Sequence, residues 1–240
     1  MRRLRVKRFL QEPGYCAIAS VASIGNFYNK NINYDITKKI SRLKICNNLK
    51  LGLDSGEIGT LLNLIGFQSV TLVSTNLYIF DYTWIKLGKK KFIQKLEEAK
   101  DKICEDYRES ANSIYKWLKT GYNNKVILDY NFSKYIKKFL NKGKPVLVSF
   151  NWTMFFKYSK KRGNIEDSIK GEYEEHVAVI YGYNKTGVYV CDSHHEYYKY
   201  KLKKYRKGFY HISWENLMSI VGLGDIFLPM KYRKINLEKF

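Results

Sequence analysis

Four side chains in this sequence have the types and spacing to do chemistry together: Gln11, Cys16, His176 and Asp192. Cys16 follows the turn-forming pair Pro13-Gly14 and opens a run of small and apolar residues, CAIASVASIGNFYN, which predicts a helix over 16–29. A helix N-terminus presents unpaired N–H groups and partial positive charge, which favour a thiolate, the nucleophilic form of cysteine. Position alone does not decide the matter, because most free cysteines serve as small buried hydrophobes. Gln11 stands five residues earlier, across the turn. Its amide can reach the space beside the thiol, and with the Cys16 backbone N–H it makes two donors for a developing oxyanion.

His176 opens one strand of an expected β-hairpin, HVAVIYGY, and Asp192 closes the other, VYVCD, across the turn Asn184-Lys185-Thr186-Gly187. In an antiparallel pair these two ends lie within about a residue or two of each other. A carboxylate there can accept from one imidazole nitrogen, fix the tautomer and turn the other nitrogen toward a thiol. Each residue alone has an ordinary structural use. In this order and on these elements, the four together point to nucleophilic acyl transfer.

The elements that must position them read as follows. A short helix over 35–43 has Asp35 as its N-cap, and a second, capped by Asp54 or Ser55, ends at Gly66. Gln68 to Ser74 reads as a strand. Residues 89–119 carry apolar side chains at steps of three or four, from Phe92 to Leu118, and predict one long solvated helix. A helix over 132–140 leads through Gly143 into a buried strand, 145–150. After the hairpin, YYKYKLKK and GFYHIS continue the β-prone text, Trp214 to Ile220 suits a short helix, and the C-terminus trails off in charges. Helices come first and an antiparallel sheet second, an α+β arrangement.

The chain of 240 residues carries 43 Lys+Arg against 22 Asp+Glu, a net charge of +21, and is 45% hydrophobic and 16% aromatic. That apolar mass excludes a disordered or low-complexity protein. The charge attracts anionic surfaces, although a coding bias toward A and T produces the same excess of Lys, Asn, Ile and Tyr. Cys16, Cys46, Cys104 and Cys191 are too few for a disulfide scaffold in a chain of this length, so a reducing, cytoplasmic setting is expected. The basic start, residues 1–8, is not followed by the apolar stretch of a signal peptide, and no run is long enough for a membrane span.

QEPGYCAIASVASI resembles the opening motif of the papain-like cysteine peptidases that remove double-glycine leaders from bacteriocins, and of their free-standing relatives: a Gln, four residues, then a Cys on a small-residue helix. GLDSGEIGTLLNLIGFQSVTLV, KKFLNKGKPVLVSFN and EEHVAVIYGYNKTGVYVCDSH are similar to that family's helix-to-strand, pre-histidine and histidine-to-aspartate segments. The resemblance implies one papain-like α+β domain over 1–240, with the Cys on its N-terminal helical part and the His and Asp on its C-terminal sheet. It further implies Cys16 as nucleophile, His176 as general base and acid, Asp192 as the orienting acid and Gln11 in the oxyanion hole. Ser193 departs from the family's common proline. Residues 75–131 have no counterpart in the family pattern and read as a helical insertion.

Rival readings of the same text carry less. Cys191, Asp192, His194 and His195 are crowded, but strand alternation turns Cys191 and Asp192 to opposite faces and no second ligand pair has zinc-like spacing, so no metal or other cofactor is expected. KYKLKKYRKGFYHISW interleaves basic and aromatic residues as single-strand nucleic-acid platforms do, yet a half-exposed sheet gives the same pattern. Cys46 and Cys104 fall on helical patterns and read as core. The expected partner is a peptide or protein substrate, with the net charge favouring an acidic one. The alternatives are an acyltransferase or transglutaminase-like enzyme on the same triad, and an inactive binding module with a basic surface.

Overall fold

Small side chains let a helix be buried on nearly every side, and the run beginning at Cys16 uses this. The computed structural model describes residues 3–45, 52–163, 165–194, 207–222 and 224–239. In it, helix α1 (Cys16–Tyr28) is buried continuously from Ala17 to Asn26. The Ser20 hydroxyl donates to the Val177 carbonyl at 2.8 Å, tying α1 to the strand that carries His176. Helix α2 (Tyr34–Lys44) is capped by Asn33, whose side chain accepts from the Ile36 N–H; Asp35, the expected cap, lies one residue inside the helix, where its charge suits the dipole. Helix α3 (Ser55–Leu64) starts at Asp54, whose backbone N–H donates to Glu57 in capping-box fashion. It leads through Gly66, at φ 122°, into β1 (Phe67–Ser74).

The expected long helix over 89–119 is two helices. α4 (Lys89–Ala99) and α5 (Glu105–Leu118) are separated by a turn that ends on Cys104 in extended conformation. Glu105 and Asp106 supply the acidic first turn that favours a new N-terminus there. The two helices fold back on each other, and the Tyr115 hydroxyl donates to Glu97. Cys104 is therefore exposed, not core, and Cys46 lies outside the described residues. Strand β2 (Lys125–Leu128) follows and pairs in parallel with β1, which the sequence reading did not foresee.

Helix α6 (Phe132–Asn141), strand β3 (Val146–Asn151) and the short helix α7 (Trp152–Phe156) precede a small hairpin, β4 (Lys161–Arg162) with β5 (Ile165–Glu166). The main hairpin is β6 (Glu175–Tyr183) and β7 (Gly187–Cys191), with a bulge at Tyr181. β8 (Phe209–Ser213), α8 (Trp214–Ile220) and β9 (Asp225–Tyr232) complete the chain. YYKYKLKK falls outside the described residues.

The seven-stranded sheet runs β2-β1-β9-β3-β6-β7-β8, antiparallel except for β1 with β2. β9 corrects the expectation of a trailing C-terminus: it fills the middle of the sheet, pairing Val73 with Ile226 on one side and Leu147 with Phe227 on the other. The apolar segment Ile226-Phe227-Leu228 is short, and Pro229 and Lys231 disguise it. β3 stops pairing before Pro229 is reached, so the missing N–H is tolerated.

Helices cover both faces, which is why the inner strands are apolar throughout. Val177, Val179, Leu147 and Phe227 pack with α1, α3 and α5; Ala178, Ile180, Val148 and Ile226 pack with α6 and α8. Gly56 and Gly59 let α5 lie directly on α3. A Cβ at Gly56 would stand 2.0 Å from the Ser113 backbone, and one at Gly59 2.6 Å from the buried Trp117 ring.

Candidate active site

Cys16 is the first residue of α1, so its backbone N–H has no partner within the helix. The thiol is half-buried at the wall of a cavity of about 350 Å³. His176 is almost completely buried at the start of β6, where β3 holds it opposite Phe150. Its Nε2 lies 2.7 Å from Asp192 Oδ1. Continuing the β6–β7 register sets Asp192 beside Ala178, two residues along from His176, so the contact is diagonal.

The Cys16 thiol stands close enough to the His176 ring to favour its charged form. With Nε2 committed to Asp192, Nδ1 is the ring nitrogen left for another partner. Burial alone pushes the imidazole pKa down. The Asp192 charge and hydrogen bond, and then Cys16, outweigh that and raise it to about 10. The Trp152 ring stands over the imidazole at 4.0 Å between centroids and screens it from water.

Asp192 is fully buried, and its partners account for both oxygens. The Tyr210 hydroxyl donates to Oδ2 at 2.6 Å, and the His194 backbone N–H donates to Oδ1 at 2.9 Å. Arg8 clamps the loop from outside, donating from Nε to the Asp192 carbonyl at 2.5 Å and from Nη2 to the His194 carbonyl at 2.6 Å. Gly208 leaves room for that guanidinium, since a Cβ there would stand 2.1 Å from Arg8 Nε.

Gln11 is buried and doubly tied to Ser193. Its backbone N–H donates to the Ser193 carbonyl at 3.1 Å, and its Oε1 accepts from the Ser193 hydroxyl at 2.7 Å. With Oε1 occupied, the amide nitrogen is the end left to donate.

Cys16 and Asp192 thus both stand beside His176, with Gln11 anchored to the residue after Asp192. Sequence reasoning missed Tyr210, Arg8 and Trp152. Tyr210 was visible only as one position of an alternating strand, and Arg8 as one of many basic residues at the start. Among the described residues no group of three or more His, Cys, Asp or Glu side chains is placed to hold a metal ion; His195 lies outside them. His194 instead packs its ring against Trp152 at 4.2 Å.

Among the described residues, no helix is long and apolar enough to cross a membrane. Comparison with the curated proteins and with solved structures returns no match. A comparison with protein families matches residues 3–220 to the one described as "Peptidase_C39 like family".

Proposed function

The chain belongs to the Peptidase_C39 like family, a cysteine peptidase relationship, and on that premise we propose that it hydrolyses a peptide bond through a thioester on Cys16. The observation that carries the reading is His176 set beside Cys16 and held by Asp192 at 2.7 Å from its Nε2.

In the first half of the reaction the Cys16 sulfur attacks the substrate carbonyl carbon and the carbonyl oxygen takes the negative charge. The Cys16 backbone N–H and the Gln11 amide donate to that oxygen. His176, which keeps its proton well above neutral pH beside Asp192, delivers it to the departing amine as the C–N bond breaks. In the second half His176 takes a proton from water, and the hydroxide attacks the thioester. The C–S bond then breaks, releasing the carboxylic acid and returning Cys16 and His176 to their starting state, with the proton on His176. Asp192 never reacts. It orients the ring and stabilises its charge, while Tyr210 and Arg8 hold Asp192 in place.

A peptide library incubated with the wild-type chain and with Cys16→Ala tests the proposal. Cleavage by the first and none by the second is expected; cleavage by both, or by neither, overturns it. Adding a primary amine during turnover separates hydrolysis from acyl transfer, since a transferase passes the acyl group to the amine in preference to water.

A further inference from the structure

The net charge of +21 suggests a protein that repels cations, yet the groove beside Cys16 has the opposite sign. The Cys16 cavity shares Asp54, Ser55, Ser110, Ser149 and Glu175 with a neighbouring one of about 780 Å³, so the two form one cleft. Among the described residues, seven acidic side chains line that cleft against a single lysine, Lys160. They come from separate elements: Asp54 from the start of α3, Glu109 from α5, Glu175 from β6, Asp225 from β9.

Acidic side chains on a surface usually face water or a basic partner, and one of these does neither. Asp225 is 7% exposed. Its Oδ2 accepts from the Ser55 hydroxyl and the Ser74 hydroxyl lies beside the carboxyl, while Oδ1 is buried at the cleft wall with no partner at hydrogen-bond distance among the described residues. A buried carboxylate oxygen left unpaired is costly unless something cationic completes it. Glu175 lies within electrostatic range of both Asp225 and Asp54, so the charges act on one space. Burial pushes Asp225 and Asp54 up to about 6 and Glu175 to about 7; neighbouring carboxylates add to the rise at Asp54 and Glu175, while the Ser55 and Ser74 hydroxyls work against it at Asp225.

We propose that this acidic cleft is a subsite for a cationic side chain, so that the substrate carries lysine or arginine close to the bond presented to Cys16. The inference rests on the peptidase reading of Cys16 for its word "substrate", but the subsite itself stands on the carboxyls. The net charge argues for an acidic substrate. At contact distance the nearest groups dominate, because charges beyond about 8–10 Å are largely screened at physiological salt. The surplus lysines therefore do not decide what enters the cleft.

The test uses full-length Cys16→Ala protein and two fluorescent peptide pools, identical except that one contains lysine where the other contains N-acetyl-lysine. Anisotropy is expected to show the lysine pool binding about tenfold tighter, the size of a charge-assisted contact. Adding Glu175→Gln or Asp225→Asn is expected to bring that ratio close to one. Asp225 is buried, so if Asp225→Asn fails to fold, Glu175→Gln, at the cleft surface, carries the comparison. Equal binding of the two pools, or a preference that survives a folded carboxyl variant, overturns the subsite. Wild-type turnover of both pools separates the two readings. Cleavage without lysine preference removes the subsite and leaves the peptidase; lysine-dependent binding without cleavage does the reverse.

Discussion

The Ser193 hydroxyl donates to Gln11 Oε1 at 2.7 Å, and the two backbones are joined at 3.1 Å by the Gln11 N–H and the Ser193 carbonyl. Ser193 directly follows Asp192, so the glutamine is fixed to the same loop that orients the histidine. Proline, the residue the sequence resemblance called for here, has no hydroxyl and could not make the side-chain contact. Ser193→Ala is expected to lower kcat by about tenfold, a fraction of the 10²–10³ that loss of an oxyanion donor costs, with KM little changed. Ser193→Thr, which keeps the hydroxyl, is expected to restore most of the loss. Steady-state kinetics on the two variants decides it; equal kcat in Ser193→Ala and wild type removes Ser193 from the positioning role.

His176 is held protonated to about pH 10, chiefly by Asp192 acting against burial. Its folded pKa lies above the unfolded value of about 6.5. Its contribution to stability is therefore complete below about 6.5 and is lost as pH rises through about 10. Asp192→Asn removes the charge and is expected to move the alkaline limb of the kcat/KM profile down toward neutrality, with a loss of roughly 10²-fold in rate. A profile whose alkaline limb stays in place shows that another group governs it.

The thiols divide by environment. Burial, and then the Asp192 charge, push Cys191 up to about 12, and the side chain is enclosed. Cys104 is exposed at the start of α5. Cys16 alone among the described cysteines stands beside the His176 imidazole, which holds its proton well above neutral pH. Iodoacetamide at pH 6, read by peptide mass mapping, is expected to label Cys16 first, Cys104 slowly and Cys191 only after unfolding. Equal labelling of all three speaks against an activated Cys16.

What the sequence revealed and what it hid follow from how local each signal is. Helix α1, the β6–β7 hairpin and the pairing of His176 with Asp192 depend on neighbours in the chain, and their residue types announce them. The division of 89–119 at Cys104 was concealed because the apolar spacing survives when a helix folds back on itself. β9 was concealed because three apolar residues beside a proline do not look like a strand until β1 and β3 flank them. The acidic cleft was the least legible, since Asp54, Glu109, Glu175 and Asp225 are far apart in sequence and each is unremarkable alone. Asp54 declared itself only as a cap.

Residues 75–131 read as an insertion, yet Trp117 of that segment lies in the same apolar cluster as Ile18 and Ile24 of α1. Its indole N–H donates to Asn63 Oδ1 at 3.0 Å, and Asn124 closes the buried network with Asn63. The helix pair is thus seated against α3 through Gly56 and Gly59. Gly56→Ala is expected to destabilise the whole fold by roughly 1–3 kcal/mol, because the contacted atoms are backbone and cannot turn away. Thermal unfolding followed at Cys16-containing peptides and at α5 by hydrogen exchange should show both regions weakened together. Loss of protection confined to α4 and α5 marks the segment as a separable insertion.

The acidic cleft also sets how stability depends on pH. Asp54, Glu175 and Asp225 have folded pKa values of about 6 to 7, above their ordinary values. The folded state therefore binds more protons than the unfolded one between about pH 4 and 7, and stability falls as pH rises through that window. For Asp225, the most enclosed of the three, two units of difference correspond to a cost on the order of 2–3 kcal/mol at neutral pH. Asp225→Asn carries no charge at any pH. Its Tm is expected to exceed that of wild type at pH 8 and to approach it at pH 4, while lysine-peptide binding is lost. A stability gain paired with a binding loss is the mark of a group kept for its ligand. A variant less stable than wild type at pH 8 assigns Asp225 to holding the fold through Ser55.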